Sequence, residues 1–600
     1  MSGVGATGMS GVGSTGMNEA GSTGMSGVGA TGGKFALQGD QPTVVQYVVR
    51  RFEALGVGHI FGVPGDYSFP IDDAFEASPM IQWVGCANEL NAAYAADGYA
   101  RIRGAALLST TYGVGELSAL NGVMGSKAEH VPVFHLVGHP SRRLQRIRAV
   151  THHSLGDGDF TNFIPLSAAA ACVSAELTPR NCIAELERVI ELAISRSQPA
   201  HLYVAEDNAL MPIFGTPPAM RRLDEIPRGL TNPRELEVAA DAVLERLSRA
   251  KRPLAFVSHK VSRHRLEVEV TRFLEVANIP FATTPMDKTA LDPHHPLFIG
   301  TYNGGSGAPD VQRAVAESDC VLDLGGVIWS DLNTGFWTDK VDKKTLVRMM
   351  PHDVQIGDDS YGPVWLGEML AALSSSPRLK PFAARGLVSE RRLPAVPGEA
   401  GDLIRYAALY PRLCRFLKEG DTVISDTGTC MLHLTQLPLP PKANFYTQTL
   451  WGSVGWGTPA ALGMCLAAPE DRTVMVTGDG AHQMTANELG TMSRYGAKPI
   501  LIVLNNTSYA VEELISETTG HRYNILAPWR YADLPMTLGC QDWYSVRVTT
   551  LGELEQALET ASRGDRAVYI EVVIDPAEQP HPLPSEMLDK LYRLTPRDRG

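Results

Sequence analysis

The chain has 600 residues, of which 44% are apolar and 20% charged, and its formal net charge is −13 at pH 7. This length predicts several domains, because a single hydrophobic core rarely serves more than about 250–300 residues. The acidic balance argues against nucleic acid and anionic membranes as partners, and no apolar run is long enough to span a bilayer. Eight scattered cysteines and the lack of a basic, apolar leader favour a cytoplasmic protein without disulfides.

The first 32 residues are four copies of a glycine-rich octapeptide that begins as MSGVGATG. Repeats with so few large apolar side chains cannot offset the entropy that is lost when a chain becomes ordered. We therefore predict a disordered tail over residues 1–35.

After the tail, apolar strands alternate with amphipathic helices, a pattern typical of parallel sheets that are covered by helices on both faces. Two proline-containing segments, 212–233 and 376–401, interrupt this alternation. The sequence thus predicts an α/β protein with three doubly wound parallel-sheet domains. We expect these domains at residues 36–210, 230–378 and 402–580, followed by a C-terminal segment at 581–600 with helical character.

Three polar clusters interrupt the first of these domains. Asp66 lies in a turn after an apolar strand, and Glu89 begins a helix of small residues that is expected to be buried. His152 and His153 are neighbours in a loop rich in glycine and aspartate. Taken singly, each cluster is explained by an ordinary structural role, as a turn residue, a helix N-terminal charge or loop histidines.

The third domain contains two short polar motifs that are separated by 24 residues. Gly478-Asp479-Gly480 follows one apolar run, and Asn505-Asn506 follows the next. This is the pattern of a strand, a helix and a parallel strand, so both motifs are expected at the same edge of the sheet. A carboxylate and an amide oxygen at a helix N-terminus suit a magnesium ion that is bridged to phosphates.

Together with Trp451-Gly452-Ser453-Val454-Gly455 and Glu512, these motifs resemble those of the thiamine diphosphate (ThDP)-dependent 2-keto acid decarboxylases. This family includes the pyruvate, indolepyruvate, phenylpyruvate and branched-chain keto acid decarboxylases. The resemblance implies ThDP and Mg²⁺ as cofactors and a small-molecule 2-keto acid as substrate. It also implies non-oxidative release of CO₂ and an aldehyde through the ylide and enamine forms of ThDP.

The resemblance also assigns roles to individual residues. The implied catalytic residues are Glu89, Asp66, His152, His153 and Glu512. The implied metal ligands are Asp479, Asn506 and the backbone carbonyl of Ser508. The implied cofactor contacts are Glu89, Thr429, Gly452, Val454, Gly480, Ala481 and Asn506. The implied acyl pocket consists of Met431, Val511 and Ile515.

One departure from the family pattern affects the metal site. Where the family commonly has Asn-Asp-Gly-Tyr, this chain has Asn506-Thr507-Ser508-Tyr509. Since the expected ligand at position 508 is a carbonyl oxygen, metal binding is expected to survive if the backbone geometry is kept.

The pocket residues bear on the choice of substrate. Val511 leaves more room than isoleucine would, and the flexible Met431 adapts to varied shapes. This favours a medium or large apolar substrate, such as a branched-chain or aromatic keto acid.

Two alternatives stay open, a carboligase that makes acyloins through the same enamine and a non-catalytic homologue. In the family, one site joins the first domain of one subunit to the third domain of another, which implies at least a homodimer and favours a homotetramer.

Overall fold

The computed structural model of the protein describes residues 41–383, 393–517, 520–575, 578 and 585–594. The predicted tail at 1–35 therefore lies outside the described residues. No helix within these ranges is both long and apolar enough to cross a membrane.

The first sheet, here called the N-terminal sheet, has six parallel strands in the order β2-β1-β3-β4-β6-β5. Its strands are β1 (His59–Gly62), β2 (Gln82–Gly85), β3 (Ala106–Thr111), β4 (Val133–His139), β5 (Val173–Leu177) and β6 (Ala200–Ala205). Its helices are α1 (Val44–Leu55), α2 (Phe69–Glu76), α3 (Glu89–Arg103), α4 (Val114–Ala128), α5 (Arg142–Arg146), α6 (Ile164–Ala170), α7 (Cys182–Arg196) and α8 (Glu206–Ala209). The buried strands β4 and β6 are apolar over most of their length and β3 over its first half, as expected for a sheet covered on both faces.

The central sheet has seven strands in the order β13-β12-β11-β10-β7-β8-β9. Its strands are β7 (Pro253–Val257), β8 (Phe281–Thr283), β9 (Phe298–Thr301), β10 (Cys320–Leu324), β11 (Leu346–Met349), β12 (Val354–Ile356) and β13 (Asp359–Tyr361). Its helices are α9 (Pro233–Arg249), α10 (Lys260–Arg263), α11 (Glu267–Ala277), α12 (Pro309–Ala316) and α13 (Leu366–Ser375). The strands β12 and β13 are antiparallel additions at one edge, because a two-residue turn containing Gly357 in the left-handed conformation joins them.

The C-terminal sheet has six parallel strands in the order β15-β14-β16-β17-β19-β18. Its strands are β14 (Thr422–Ser425), β15 (Asn444–Tyr446), β16 (Thr473–Gly478), β17 (Ile500–Asn505), β18 (Tyr544–Val548) and β19 (Val568–Val573). Its helices are α14 (Tyr406–Phe416), α15 (Thr429–Leu434), α16 (Gly457–Ala467), α17 (Asp479–Thr485), α18 (Glu488–Arg494), α19 (Ala510–Ser516), α20 (Leu534–Thr537) and α21 (Leu551–Ala561). A last helix, α22 (Ser585–Leu594), lies in the C-terminal segment. The three parallel-dominated sheets confirm the predicted fold class.

The small residues of α3 allow close packing against α16 of the C-terminal sheet. A side chain at Gly98 would collide with the backbone of Ala460, and one at Gly463 would collide with the backbone of Ala95. The N-terminal and C-terminal sheets therefore share one continuous hydrophobic core. The predicted burial of α3 is confirmed along its middle, where Ala92–Ala96 are almost completely buried.

Candidate active site

The two polar motifs of the C-terminal sheet meet at the carboxyl ends of β16 and β17. These strands are parallel, with Gly478 opposite Leu504. This register brings Asp479, the first residue of α17, beside the segment that follows β17. The carboxylate of Asp479 accepts a hydrogen bond from the backbone N–H of Thr507 at 2.6 Å, which ties the two motifs together.

The donor groups at this point fit a divalent cation. Asp479 is 1% exposed, and burial raises the pKa of its carboxyl to about 7. No cationic side chain offsets its charge among the described residues. The side-chain oxygen of Asn506 lies beside the backbone of Ser508, whose N–H donates to it at 3.2 Å. A buried carboxylate and an amide oxygen, without a protein cation to pair with, form a site suited to Mg²⁺.

The altered segment after Asn506 adopts a strained backbone. Thr507 has a φ of 60°, the left-handed region that is disfavoured for a β-branched residue. Two hydrogen bonds hold it there, its N–H to Asp479 and its carbonyl oxygen to the N–H of Leu526 at 3.0 Å. The left-handed residue thus stands where the family commonly has aspartate, whereas Ser508, which replaces the common glycine, does not have a positive φ.

A cavity of about 390 Å³ opens beside these motifs. Among its described lining residues are nine of the residues predicted from the sequence: Thr429, Val454, Asp479, Gly480, Ala481, Asn506, Ser508, Val511 and Glu512. Met484, which the sequence analysis did not include, also lines it. The lining contains both polar groups and apolar side chains, which suits a ligand with a charged head and an apolar body.

Helix N-termini and glycine turns contribute to the lining of this cavity. Helix α15 begins at Thr429 after Gly428, whose φ of 148° is open only to glycine. Helix α17 begins at Asp479, and its N–H groups and dipole favour an anion at this end. The N–H of Gly480 itself donates to the carboxylate of Asp479 at 2.9 Å.

A buried carboxylate fixes the loop that contains Gly452 and Val454. Asp426 accepts hydrogen bonds from the N–H groups of Gly455 and Gly457, both at 3.1 Å, and from that of Thr427 at 2.9 Å. Burial raises the pKa of Asp426 to about 6. The same carboxylate therefore anchors the Val454 loop and the turn that leads into α15.

Two neighbours of the site were not predicted from the sequence. The hydroxyl of Tyr406 accepts from the side-chain amide of Asn506 at 3.1 Å, which orients the amide oxygen. Asp426 is the other. Its position directly after β14 and before Thr427-Gly428-Thr429 was a usable signal, since functional residues gather at the carboxyl ends of parallel strands.

Asp66, His152 and His153 come together beside the N-terminal sheet. The Nε2 atom of His152 lies 2.7 Å from one carboxylate oxygen of Asp66, and Nε2 of His153 lies 4.0 Å from the other. His153 has a φ of 61°, which turns two adjacent rings toward one carboxylate. The ring of Tyr67 stacks on His152 at 5.0 Å between centroids.

Glu89 is the first residue of α3 and is half-buried, less than the sequence predicted. Its carboxylate lies near Gly115 at the start of α4, where a side chain would contact it at 3.4 Å. Neither Glu89 nor Asp66, His152 and His153 lines the cavity beside Asp479, within the part of the chain that the structure describes. The N-terminal and C-terminal groups thus form two separate sets in one chain.

The acyl-pocket residues differ in their placement. Val511 lines the cavity, whereas Met431 is buried and is not a lining residue. Ile515, in the last turn of α19, and Gly452 are not among the described lining residues either. The roles of all the site residues stay predictions.

Comparisons with known proteins identify the class. Family models described as thiamine pyrophosphate enzyme match in three parts: the N-terminal TPP binding domain over residues 42–162, the central domain over 240–364 and the C-terminal TPP binding domain over 426–572. The chain therefore has all three parts of a ThDP enzyme, and ThDP is its cofactor.

Relatives with assigned names show to which family of ThDP enzymes the chain belongs. An alpha-keto-acid decarboxylase of Mycobacterium avium is 38% identical over 560 residues, which cover 93% of this chain and 97% of the relative. Proteins of the same name from Mycobacterium tuberculosis and Mycobacterium ulcerans are 38% identical over 550 residues and 37% identical over 561 residues. These alignments cover 90% and 92% of this chain and 95% and 96% of the relatives. The chain belongs to the ThDP-dependent 2-keto acid decarboxylases and is a carboxy-lyase.

Proposed function

We propose that the protein converts a 2-keto acid with a medium or large apolar side chain to an aldehyde and CO₂, without oxidation, using ThDP and Mg²⁺. The family establishes 2-keto acid decarboxylation in general terms. The observation that supports the finer proposal most is the cavity in which Asp479 and Asn506 face the same space as Val511 and Glu512. A metal–diphosphate head and an apolar acyl group both have matching partners there.

Asp479, Asn506 and the carbonyl of Ser508 would hold Mg²⁺, and the N-termini of α15 and α17, through Thr429, Gly480 and Ala481, would hold the diphosphate. ThDP, when bound, supplies the nucleophilic carbon and the electron sink that decarboxylation requires. Buried Asp426 keeps the Val454 loop in place, so that Val454 and the Gly452 carbonyl can orient the cofactor rings.

The remaining steps are proton transfers by this chain's carboxylates and imidazoles. Glu89 would bond to the aminopyrimidine ring of the cofactor and promote the loss of a proton there. Asp66, His152, His153 and Glu512 would supply the proton that takes the place of the lost CO₂, and would assist the release of the aldehyde. The 2.7 Å contact between Asp66 and His152 supports a shared proton at this point.

We propose that the complete site forms between subunits, in a homodimer at least and in a homotetramer as the full assembly. The cavity beside Asp479 is lined by described residues from 406 to 512 alone, whereas Glu89, Asp66 and the two histidines belong to the N-terminal sheet. A second subunit can supply the missing groups, as in the family.

A subunit-mixing experiment tests this arrangement. Glu89→Ala and Asp479→Asn should each be inactive alone. In a mixed dimer, one of the two sites would contain both intact partners, so random 1:1 assembly should recover about one quarter of wild-type activity. Recovery of no activity in verified mixed dimers would contradict a site shared between subunits.

Substrate size can be tested through Val511, which lines the cavity. We expect higher kcat/KM for phenylpyruvate and 2-ketoisovalerate than for pyruvate. Val511→Ile should lower kcat/KM for phenylpyruvate about tenfold relative to pyruvate, because an added methylene overfills a packed pocket. Val238→Ile, at an exposed position on α9, is the matched control. A preference for pyruvate that Val511→Ile leaves unchanged would overturn the proposed substrate class.

The predicted domain limits of 36–210, 230–378 and 402–580 and the cytoplasmic location stay proposals as well. The three sheets support the domain limits, since the strands of each sheet lie within one of these ranges. Eight free cysteines, six of them buried, support the cytoplasmic location, because thiols persist in reducing compartments.

A further inference from the structure

Asp66, His152 and His153, here called the Asp66 cluster, have the ligand atoms of a transition-metal site. Each residue offers one such atom, and the three atoms lie within 4.8 Å of one another. Among the residues that the structure describes, no other three histidine, cysteine, aspartate or glutamate side chains converge in this way. The proposed function uses these groups for proton transfer and assigns no metal to them.

The distances within the Asp66 cluster suit one shared ion. Zinc is bound tetrahedrally at about 2.0–2.1 Å from each ligand, which places the ligand atoms about 3.3–3.4 Å apart. Nε2 of His152 lies 2.7 Å from one carboxylate oxygen of Asp66, and Nε2 of His153 lies 4.0 Å from the other. These two spacings lie on either side of the tetrahedral value, so small rotations of the side chains would bring all three atoms onto one metal.

The ligand types of the Asp66 cluster select the kind of metal. Mg²⁺ and Ca²⁺ prefer oxygen ligands, whereas imidazole nitrogen suits Zn²⁺ and other transition-metal ions. Three protein ligands also leave a coordination position for water, as in catalytic zinc sites. The predicted Mg²⁺ site beside Asp479 and Asn506 offers oxygen ligands instead, so the two sites favour different metals.

The surroundings hold both imidazoles in place without a metal. The ring of Tyr67 stacks on that of His152 with 5.0 Å between centroids and meets that of His153 edge-on at 6.2 Å. The two imidazole centroids are 4.5 Å apart. A side chain at Gly113 would lie 2.3 Å from the carbonyl oxygen of His153, so the histidine loop rests directly on the start of α4. Such pre-organisation lowers the cost of ordering ligands around an ion.

A second pair of adjacent histidines lacks this convergence. His294 and His295 lie between β8 and β9. Nε2 of His294 lies 2.8 Å from the carbonyl oxygen of Leu439, whereas Nε2 of His295 lies 3.2 Å from the carboxylate of Glu275. The two rings thus contact separate segments of the chain, and this pair belongs to no group of three ligands within the described residues. It provides a matched control for the Asp66 cluster.

We propose that Asp66, His152 and His153 bind Zn²⁺ or a similar divalent transition-metal ion, and that the bound ion inhibits the enzyme. Their side chains are 40%, 57% and 30% exposed, so an ion can reach them. Binding follows from the geometry alone. Inhibition also rests on the proposed function, because the metal would occupy the nitrogen and oxygen atoms that supply the proton.

Calorimetric titration with Zn²⁺ tests binding to the ThDP-loaded protein, with excess Mg²⁺ to keep the predicted Mg²⁺ site filled. His152→Ala and His153→Ala should each weaken Zn²⁺ binding at least about tenfold, which corresponds to about 1.4 kcal/mol. Both variants should fold, since neither side chain is buried. His294→Ala, at the exposed member of the control pair, should bind Zn²⁺ as wild type does. Equal affinity in wild type, His152→Ala and His153→Ala would overturn the proposal, as would a lack of Zn²⁺ binding at micromolar concentration.

Aldehyde formation in the presence of Zn²⁺ separates the metal site from the proposed function. Wild type and His294→Ala should lose activity over the range of Zn²⁺ concentration in which calorimetry detects binding, and a chelator should restore it. An active enzyme that binds no Zn²⁺ would contradict the metal site alone. Zn²⁺ that binds to the Asp66 cluster but leaves aldehyde formation unchanged would contradict the inhibition and the role of these residues in proton transfer.

Discussion

The backbone N–H of Thr507 donates to the carboxylate of Asp479 at 2.6 Å, so the residue that follows one predicted metal ligand directly contacts the other. This bond crosses from the end of β17 to the start of α17. It fixes the distance between the two motifs before any cation is bound. The geometry is thus pre-organised, which lowers the cost of ordering ligands around a metal.

Asp479→Asn should abolish Mg²⁺-dependent cofactor binding. The substitution removes the negative charge from the cation site while keeping the size of the side chain. We expect the affinity for ThDP in the presence of Mg²⁺ to fall at least about 100-fold. Titration of the cofactor-free protein by tryptophan fluorescence measures this. Asp533→Asn, at a half-exposed aspartate paired with Arg530, should bind as wild type. Unchanged affinity in Asp479→Asn would contradict the metal assignment.

Thr507→Asn should stabilise the protein. Threonine at a φ of 60° is strained, whereas asparagine tolerates the left-handed region. The N–H that donates to Asp479 is retained, so cofactor binding should not change. We expect the free energy of unfolding to rise by about 1 kcal/mol, as measured by urea denaturation. A lower free energy of unfolding would show that the threonine side chain itself supports the turn.

Asp426→Asn should impair catalysis by loosening the Val454 loop. The introduced amide group would face N–H donors of Thr427, Gly455 and Gly457, so at least one of these would lose its acceptor. Each unsatisfied buried group costs about 1–3 kcal/mol. We expect kcat to fall at least tenfold, with a smaller effect on Mg²⁺ binding because Asp479 is untouched. A kcat equal to that of wild type would show that Asp426 does not support catalysis.

Lys288 should give the protein a distinctive pH dependence. Its ammonium group donates to the carbonyls of Thr435 and Leu437, just beyond the end of α15, at 2.6 and 2.7 Å. Burial lowers its pKa from 10.5 to about 7. Between pH 7 and 10.5 the unfolded chain therefore binds a proton that the folded chain does not, so this group makes the free energy of unfolding rise with pH, by up to about 1.4 kcal/mol per unit.

Lys288→Met should remove that rise between pH 7 and 9. Urea denaturation at several pH values compares the slopes. Lys442→Met, at an exposed lysine paired with Glu419, should keep the wild-type slope. Identical slopes in wild type and Lys288→Met would mean that Lys288 stays protonated when buried.

The meeting of Asp479 and Asn506 could be predicted from the sequence, because parallel strands end at the same edge of a sheet and both motifs directly follow apolar runs. Strand bounds such as Ala200–Ala205 and Cys320–Leu324 were predictable for the same reason, since buried parallel strands are continuously apolar. The antiparallel hairpin β12–β13 could not be predicted, because its strands have only three residues each.

Contacts between distant segments could not be predicted from the sequence. Asp426 binds N–H groups 29 and 31 residues away, and Lys288 reaches carbonyls 147 and 149 residues away. No local periodicity encodes such pairs, which depend on how whole sheets pack.

The central claim, decarboxylation of an apolar 2-keto acid to an aldehyde, is tested most directly by product analysis. Purified protein with ThDP and Mg²⁺ would be incubated with pyruvate, 2-ketoisovalerate, phenylpyruvate or indolepyruvate, with and without an added aldehyde, and the products measured by mass spectrometry. The account predicts equal amounts of CO₂ and the matching aldehyde, most rapidly from a branched-chain or aromatic acid, and none from Glu89→Gln. Acyloins as the main product, or no product from any of the acids, would contradict it.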